Sequence, residues 1–383
     1  MDHDQPSKHR VLTLLNSLKQ ASKDLQIKTN PFTFLFKTDS KAAVEALLEL
    51  ESKAITIFST NPNLYNLSHS LTTLKTLIEN LEKCKGYGLK SILQRQIISY
   101  KISQASSSLE SEIQTYLDRV IIINLVKTLQ EQNNEDEQVK AIVEFEQRLL
   151  SGFDLEFQDL ILRAKIFTLL ERTLIEPFSS KRVREESAMA IADLVKFNKN
   201  VFVGLVLMGP TIKALIAMSS ECSIKVISLL VRLIRSPLVD EILSNGMIPK
   251  IIGFLLSSDW CLRVAALDCV FELCYIGRRE VVEAMLQQEL VKILMILQRK
   301  EDLCDVEEIR EKEKVLGVDY DLDDSVFDGC VSRFAIQVEI GEGLSSEEKR
   351  EVKLEILRLV KEASQSDAEF ATVSAEILWG SSP

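Results

Sequence analysis

Histidine and cysteine, the side chains best suited to metal or nucleophile chemistry near neutral pH, are few in this 383-residue chain, and they are spread out. The three histidines are His3, His9 and His69. They fall in a tail and two predicted helices, whereas a zinc or general-base site needs His to converge with Cys or carboxylates. The seven cysteines, at 84, 222, 261, 269, 274, 304 and 330, include no Cys-x-x-Cys pair. Cys269 and Cys274 lie in an apolar helical pattern and are expected to be small core residues. Asp319-Tyr320-Asp321-Leu322-Asp323-Asp324 has the acidic alternation that opens an EF-hand loop. The sixth place, however, is Asp324 instead of Gly, and the twelfth is Cys330 instead of Glu. Gly86-Tyr87-Gly88 lacks the Lys-Ser/Thr of a phosphate loop and reads as a helix break. No catalytic residue, metal site or cofactor is expected, and the chain is not expected to be an enzyme.

Charge narrows the partner class. Residues 1–130 hold 16 basic and 12 acidic residues, a net of +4, while the remainder carries −15 of the total −11. An acidic solenoid repels phosphate, so nucleic acid is not an expected partner. Lys181-Arg182-Val183-Arg184 has the composition of a nuclear-import signal. It also opens a helix and runs into Glu185-Glu186, which favours a structural role. Arg232, Arg235, Arg278 and Arg279 sit near predicted helix ends, where they either meet an acidic partner segment or neutralise the helix C-terminus. The N-terminus lacks the basic-then-apolar order of a signal peptide. The apolar stretch 201–218 is broken by Gly209-Pro210 and Lys213 and is expected to form two buried helices, not a membrane span. The expected location is the cytosol or nucleus.

The elements that must position these residues are helices throughout. Gly (13) and Pro (8) are scarce and aliphatics abundant, the profile of an all-α protein. Four long amphipathic patterns fill residues 1–130: 9–27, 40–58, 64–84 and 89–130. Short breaks join them, predicting an N-terminal four-helix bundle. From about 135 a repeat of some forty residues takes over. Leu194, Leu233 and Leu273 mark its phase at spacings of 39 and 40, predicting three equivalent buried positions on successive third helices. The repeats run over 135–300. Residues 301–330, with 12 acidic and three basic side chains, are expected to be an acidic loop. Residues 331–383 are expected to form a C-terminal capping repeat, with Ser345 and Glu348 as its capping box.

The strings Arg184 to Leu194 and Arg263 to Leu273, with the Asn245-Gly246-Met247-Ile248-Pro249 turn, resemble armadillo repeats. Lys75 to Arg119, Arg333 to Leu344 and Ala375 to Pro383 resemble a plant group of armadillo-repeat proteins related to the plant U-box ligases. The Cys-Pro-Ile-type motif of the U-box is missing, so ligase activity is not implied. The resemblance implies an armadillo-type superhelix and a protein-interaction scaffold or adaptor. Such a scaffold would use the concave surface lined by third helices. Peptide-gripping armadillo proteins place Asn just before the repeat Leu. Here Asp193, Arg232 and Glu272 stand in that place, a mixed row unsuited to a polybasic peptide. With Arg235 they form the expected partner-binding set: Asp193, Arg232, Arg235 and Glu272. The alternative expectation is a membrane-engaging helical-bundle protein of plant signalling or immunity, acting through the mildly basic N-terminal bundle.

Overall fold

The computed structural model describes Thr13, residues 15–20, Lys23 and residues 65–84, 89–131, 134–299 and 324–379. Every regular element among the described residues is a helix. The chain divides into two compact units, 1–124 with 154–163, and 125–153 with 164–383. These differ from the contiguous domains expected at 1–130 and 135–300.

In the first unit, α1 (Tyr65–Lys83) and the middle of α2 (Leu89–Glu131) share one core. Leu67, Leu71, Leu74 and Ile78 lie at helical spacing on α1 and pack with Ile102, Leu109 and Ile113 of α2 and with Leu15 and Leu18. Ser70 donates to Glu112 at 3.1 Å across this contact. The helix expected over 40–58 lies outside the described residues. A further helix, α4 (Leu155–Arg163), belongs to this unit and not to the repeats, where the sequence had placed it. Asp154 starts it by accepting from the amides of Glu156 and Phe157.

The second unit is an armadillo-type solenoid. Its long third helices are α3 (Glu135–Leu150), α6 (Lys181–Phe197), α9 (Glu221–Ile234), α12 (Trp260–Ile276) and α15 (Cys330–Ile340). Between them run α5 (Ile166–Ile175), the pair α7 (Lys199–Met208) and α8 (Thr211–Met218), then α10 (Ser236–Ser244) and α11 (Ile248–Gly253), then α13 (Arg279–Gln287) and α14 (Leu290–Gln298). Each third helix packs on the next, from α3 to α15, so they form one continuous row. Polar N-caps fix their starts: Asn134, Ser180, Ser220 and Asp259 each accept an amide of the first turn. Gly246 makes the turn between α10 and α11 at φ 61°, a left-handed conformation that glycine adopts without a Cβ clash. No single described helix is long and apolar enough to cross a membrane, and α7 and α8 bend by 69° at their junction.

Of the residues expected to form the acidic loop, 301–323 lie outside the described residues. A 3-10 turn, Asp324–Phe327, brings Phe327 down to 3% exposure, and Cys330 is fully buried. Phe327 meets Trp260 edge-on at 5.0 Å between ring centroids, with the Arg263 guanidinium 5.2 Å over the Trp260 ring. Arg333 donates to the carbonyl of Val326 at 2.7 Å and stacks on Phe271 at 5.0 Å. Phe327 and Cys330 are therefore core, not loop. The unit closes with α16 (Ser346–Ala363) and α17 (Asp367–Trp379). The Ser345–Glu348 capping box forms, and Arg299 clamps both ends of the α16–α17 turn through Glu369 and the carbonyl of Ala363.

Candidate partner-binding face of the third helices

Register along the third helices decides which side chains reach the surface. Counting from the N-caps Ser180, Ser220 and Asp259, the equivalent of Leu194 is Ile234, not Leu233, and the next is Leu273. Leu194 and Leu273 are fully buried and Ile234 is 3% exposed, whereas Leu233 is half-buried. Leu233 instead shares its position with Asp193 and Glu272, all three half-buried. Arg232 aligns with the buried Ala192 and Phe271 and is exposed only because its long side chain leaves the helix. The expected Leu phase is thus one residue off in the middle repeat. The run Ile224 to Ile234 is apolar on nearly every side, so spacing alone did not distinguish 233 from 234.

In this register four rows of side chains, from the second to the thirteenth position after the N-cap, are unburied in all three helices. They are Arg182, Cys222 and Cys261; Glu185, Lys225 and Val264; Met189, Leu229 and Asp268; and Asp193, Leu233 and Glu272. None of the twelve is buried. Position-by-position repetition of exposure over three helices marks a common surface. Its chemistry is mixed, apolar among charges of both signs.

The predicted arginines are engaged within the solenoid. Arg232 donates through Nε to Glu272 at 2.7 Å, joining α9 to α12. Arg235 pairs with Glu342. Tyr275 donates its hydroxyl to the same carboxylate at 3.2 Å, and the Glu342 amide donates to the Tyr275 carbonyl at 2.7 Å. The Arg235 guanidinium holds the Glu342 carboxyl below its ordinary range. Arg278 reaches Asp240 and Arg279 reaches Glu351, again across element boundaries. These arginines therefore neither cap their own helices nor stand unengaged; they cross-link repeats. Arg235 does so from a backbone at φ 71°, a region costly for any residue with a Cβ. The import-signal candidate is likewise absorbed. Val183 is buried, Arg184 donates to the Leu174 carbonyl at 2.9 Å and Arg182 pairs with Asp136 at 2.8 Å.

Asp193 has different surroundings. It borders a cleft of about 310 Å³ lined by Leu149, Leu150, Phe153, Lys196 and Phe197. Phe153 and Leu150 are 61% and 60% exposed, and the Phe153 ring lies 5.4 Å from Phe197. Burial raises the Asp193 carboxyl above its ordinary value, partly offset by Lys196. Nearby Glu146 is pushed up to about 8, first by burial and then by Glu186 and Asp193. Its Oε1 accepts no hydrogen bond. Asp193 was singled out in the sequence; Phe153, Phe197 and Glu146, which share its surroundings, were not. The only local signal was Gly152, whose φ of 116° turns the chain after α3 so that Phe153 can meet α6. Among the described residues no cluster of His, Cys, Asp and Glu has the arrangement of a metal site.

No family model matches the sequence, and no curated protein matches it. Solved structures do resemble it. A designed armadillo repeat protein is 14% identical, with 67% of this chain and all of that chain aligned at a TM-score of 0.41. Another designed armadillo repeat protein, in complex with the peptide (KR)4, is 16% identical over 67% of this chain and 98% of its own, at 0.40. An engineered protein covers 97% of this chain and 98% of its own at 13% identity and 0.40.

Proposed function

We propose that this chain is a non-catalytic scaffold of the cytosol or nucleus, and that it binds a protein partner along the row of third helices. The observation that carries this reading is the repeated set of half-exposed positions from Asp193 to Glu272, which adjoins the apolar cleft at Phe153. The cleft offers burial to an anchoring side chain, and hot spots at protein interfaces are of this kind. The Arg232–Glu272 pair is half-exposed and available to exchange onto charges of either sign. Asp193, Arg232, Arg235 and Glu272 thus act as the polar frame and Phe153, Leu150 and Phe197 as the anchor seat.

The test is quantitative recovery of partners from the native tissue. Phe153→Ser with Asp193→Lys should lose the specific partner recovered by the wild type while the melting temperature holds. Equal recovery by the double variant would place the binding surface elsewhere.

A further inference from the structure

The first turns of α2, in the N-terminal unit, carry a surface that the core does not use. Leu93, Ile97 and Tyr100 are 58%, 55% and 72% exposed, and Ile92 is 44% exposed. At 100° per residue these four fall within one arc of the helix, which also takes in the exposed Gln96, while the buried Ile102 lies on the opposite side and the buried Ser99 bounds the arc beside Ile92. The same stretch is unusual in charge. Residues 83–109 hold five basic residues (Lys83, Lys85, Lys90, Arg95 and Lys101) and no acidic one, in a chain with net charge −11. Lys90 and Lys101 are exposed and project along one edge of the apolar arc.

An apolar stripe edged by cations along a single helix suits the boundary of an anionic bilayer. There the apolar side chains enter the acyl region and lysines reach back to the headgroups. We propose that this face of α2 docks on anionic lipid membrane surfaces. The charge decides between occupants: a second copy of the same face would bring like charges together, whereas an anionic lipid surface complements them. The proposal is independent of the partner reading above, since it concerns the other unit of the chain.

The experiment uses the full chain with phosphatidylcholine vesicles, with and without phosphatidylserine. Sedimentation with the phosphatidylserine vesicles only, weakened by salt, is expected. Leu93→Gln with Ile97→Gln, and separately Lys90→Gln with Lys101→Gln, should each weaken binding by about tenfold or more, with melting temperatures unchanged because the replaced side chains are exposed. In a third variant, Leu93→Trp, the added indole emission should be quenched by brominated lipid. Absence of wild-type sedimentation, or full binding by both double variants, overturns the proposal. So does a self-association abolished by Leu93→Gln with Ile97→Gln, which would identify a second copy as the occupant. A fall in melting temperature of that variant would show that the chain itself covers the stripe, and would equally overturn it.

Discussion

Glu146 holds a carboxyl in a half-buried place without a hydrogen bond to Oε1 and faces Glu186 and Asp193. Its folded value of about 8 lies above the ordinary value of 4.5. Between these limits the folded chain retains a proton that the unfolded chain releases. Stability from this group is therefore present at the acid end and lost as pH rises through about 8. Melting temperature should fall between pH of about 5 and about 8, and Glu146→Gln should flatten that slope. A wild-type slope unchanged in the variant would show that Glu146 does not carry it. The register makes a second residue-scale prediction. Ile234→Ala should cost about 2–5 kcal/mol, as for a buried aliphatic, and Leu233→Ala distinctly less. Denaturant titration of the two variants separates them, and the reverse order would restore the phase expected from the Leu spacing.

At the scale of elements, side-chain contacts tie successive third helices together. The aromatic contact between Phe327 and Trp260 ties the 3-10 turn that precedes α15 to α12. Phe327→Ala should destabilise the second unit by about 3–5 kcal/mol and shift the fluorescence of Trp260. Unchanged stability and emission would show that this turn does not bear on α12. Removal of 305–328, which treats the whole acidic stretch as dispensable, would delete Phe327 and should be destabilising for the same reason. The closing unit makes a backbone contact of equal strictness. A Cβ on Gly343 would lie 2.0 Å from the Gly277 carbonyl oxygen, so Gly343→Ala should force α15 and α12 apart and lower the melting temperature. The sequence announced the start of α16 through Ser345 and Glu348. It gave no sign of Phe327, because one aromatic among acids has no periodicity to read.

Across the whole molecule, helix is the sole regular structure of the described residues. Circular dichroism should show helical minima without a strand contribution, and substantial strand signal would contradict the fold. Charge is divided unevenly: a net of +4 over residues 1–130 stands against −15 over the rest. Added salt should weaken vesicle binding by the N-terminal unit, because exposed charges beyond a Debye length are screened. It should leave the solenoid's melting temperature nearly unchanged, since the pairs Arg232–Glu272 and Arg278–Asp240 are half-exposed and contribute little each.

Helical class, the forty-residue repeat and the polar caps follow from composition, periodicity and the types of residue at helix starts. These are local properties, fixed within one or two turns of chain. Asp193 and Glu272 were legible because they stand one place before a repeat Leu that is buried. The equivalence of Ile234 with Leu194, the assignment of α4 to the first unit, the cleft at Phe153 and the cross-links from Arg232 to Glu272 and from Arg235 to Glu342 were decided by tertiary structure. Each depends on which surfaces meet across forty or a hundred residues. In an apolar helix such as α9 several registers bury similar area, and packing against α6 and α12 selects among them.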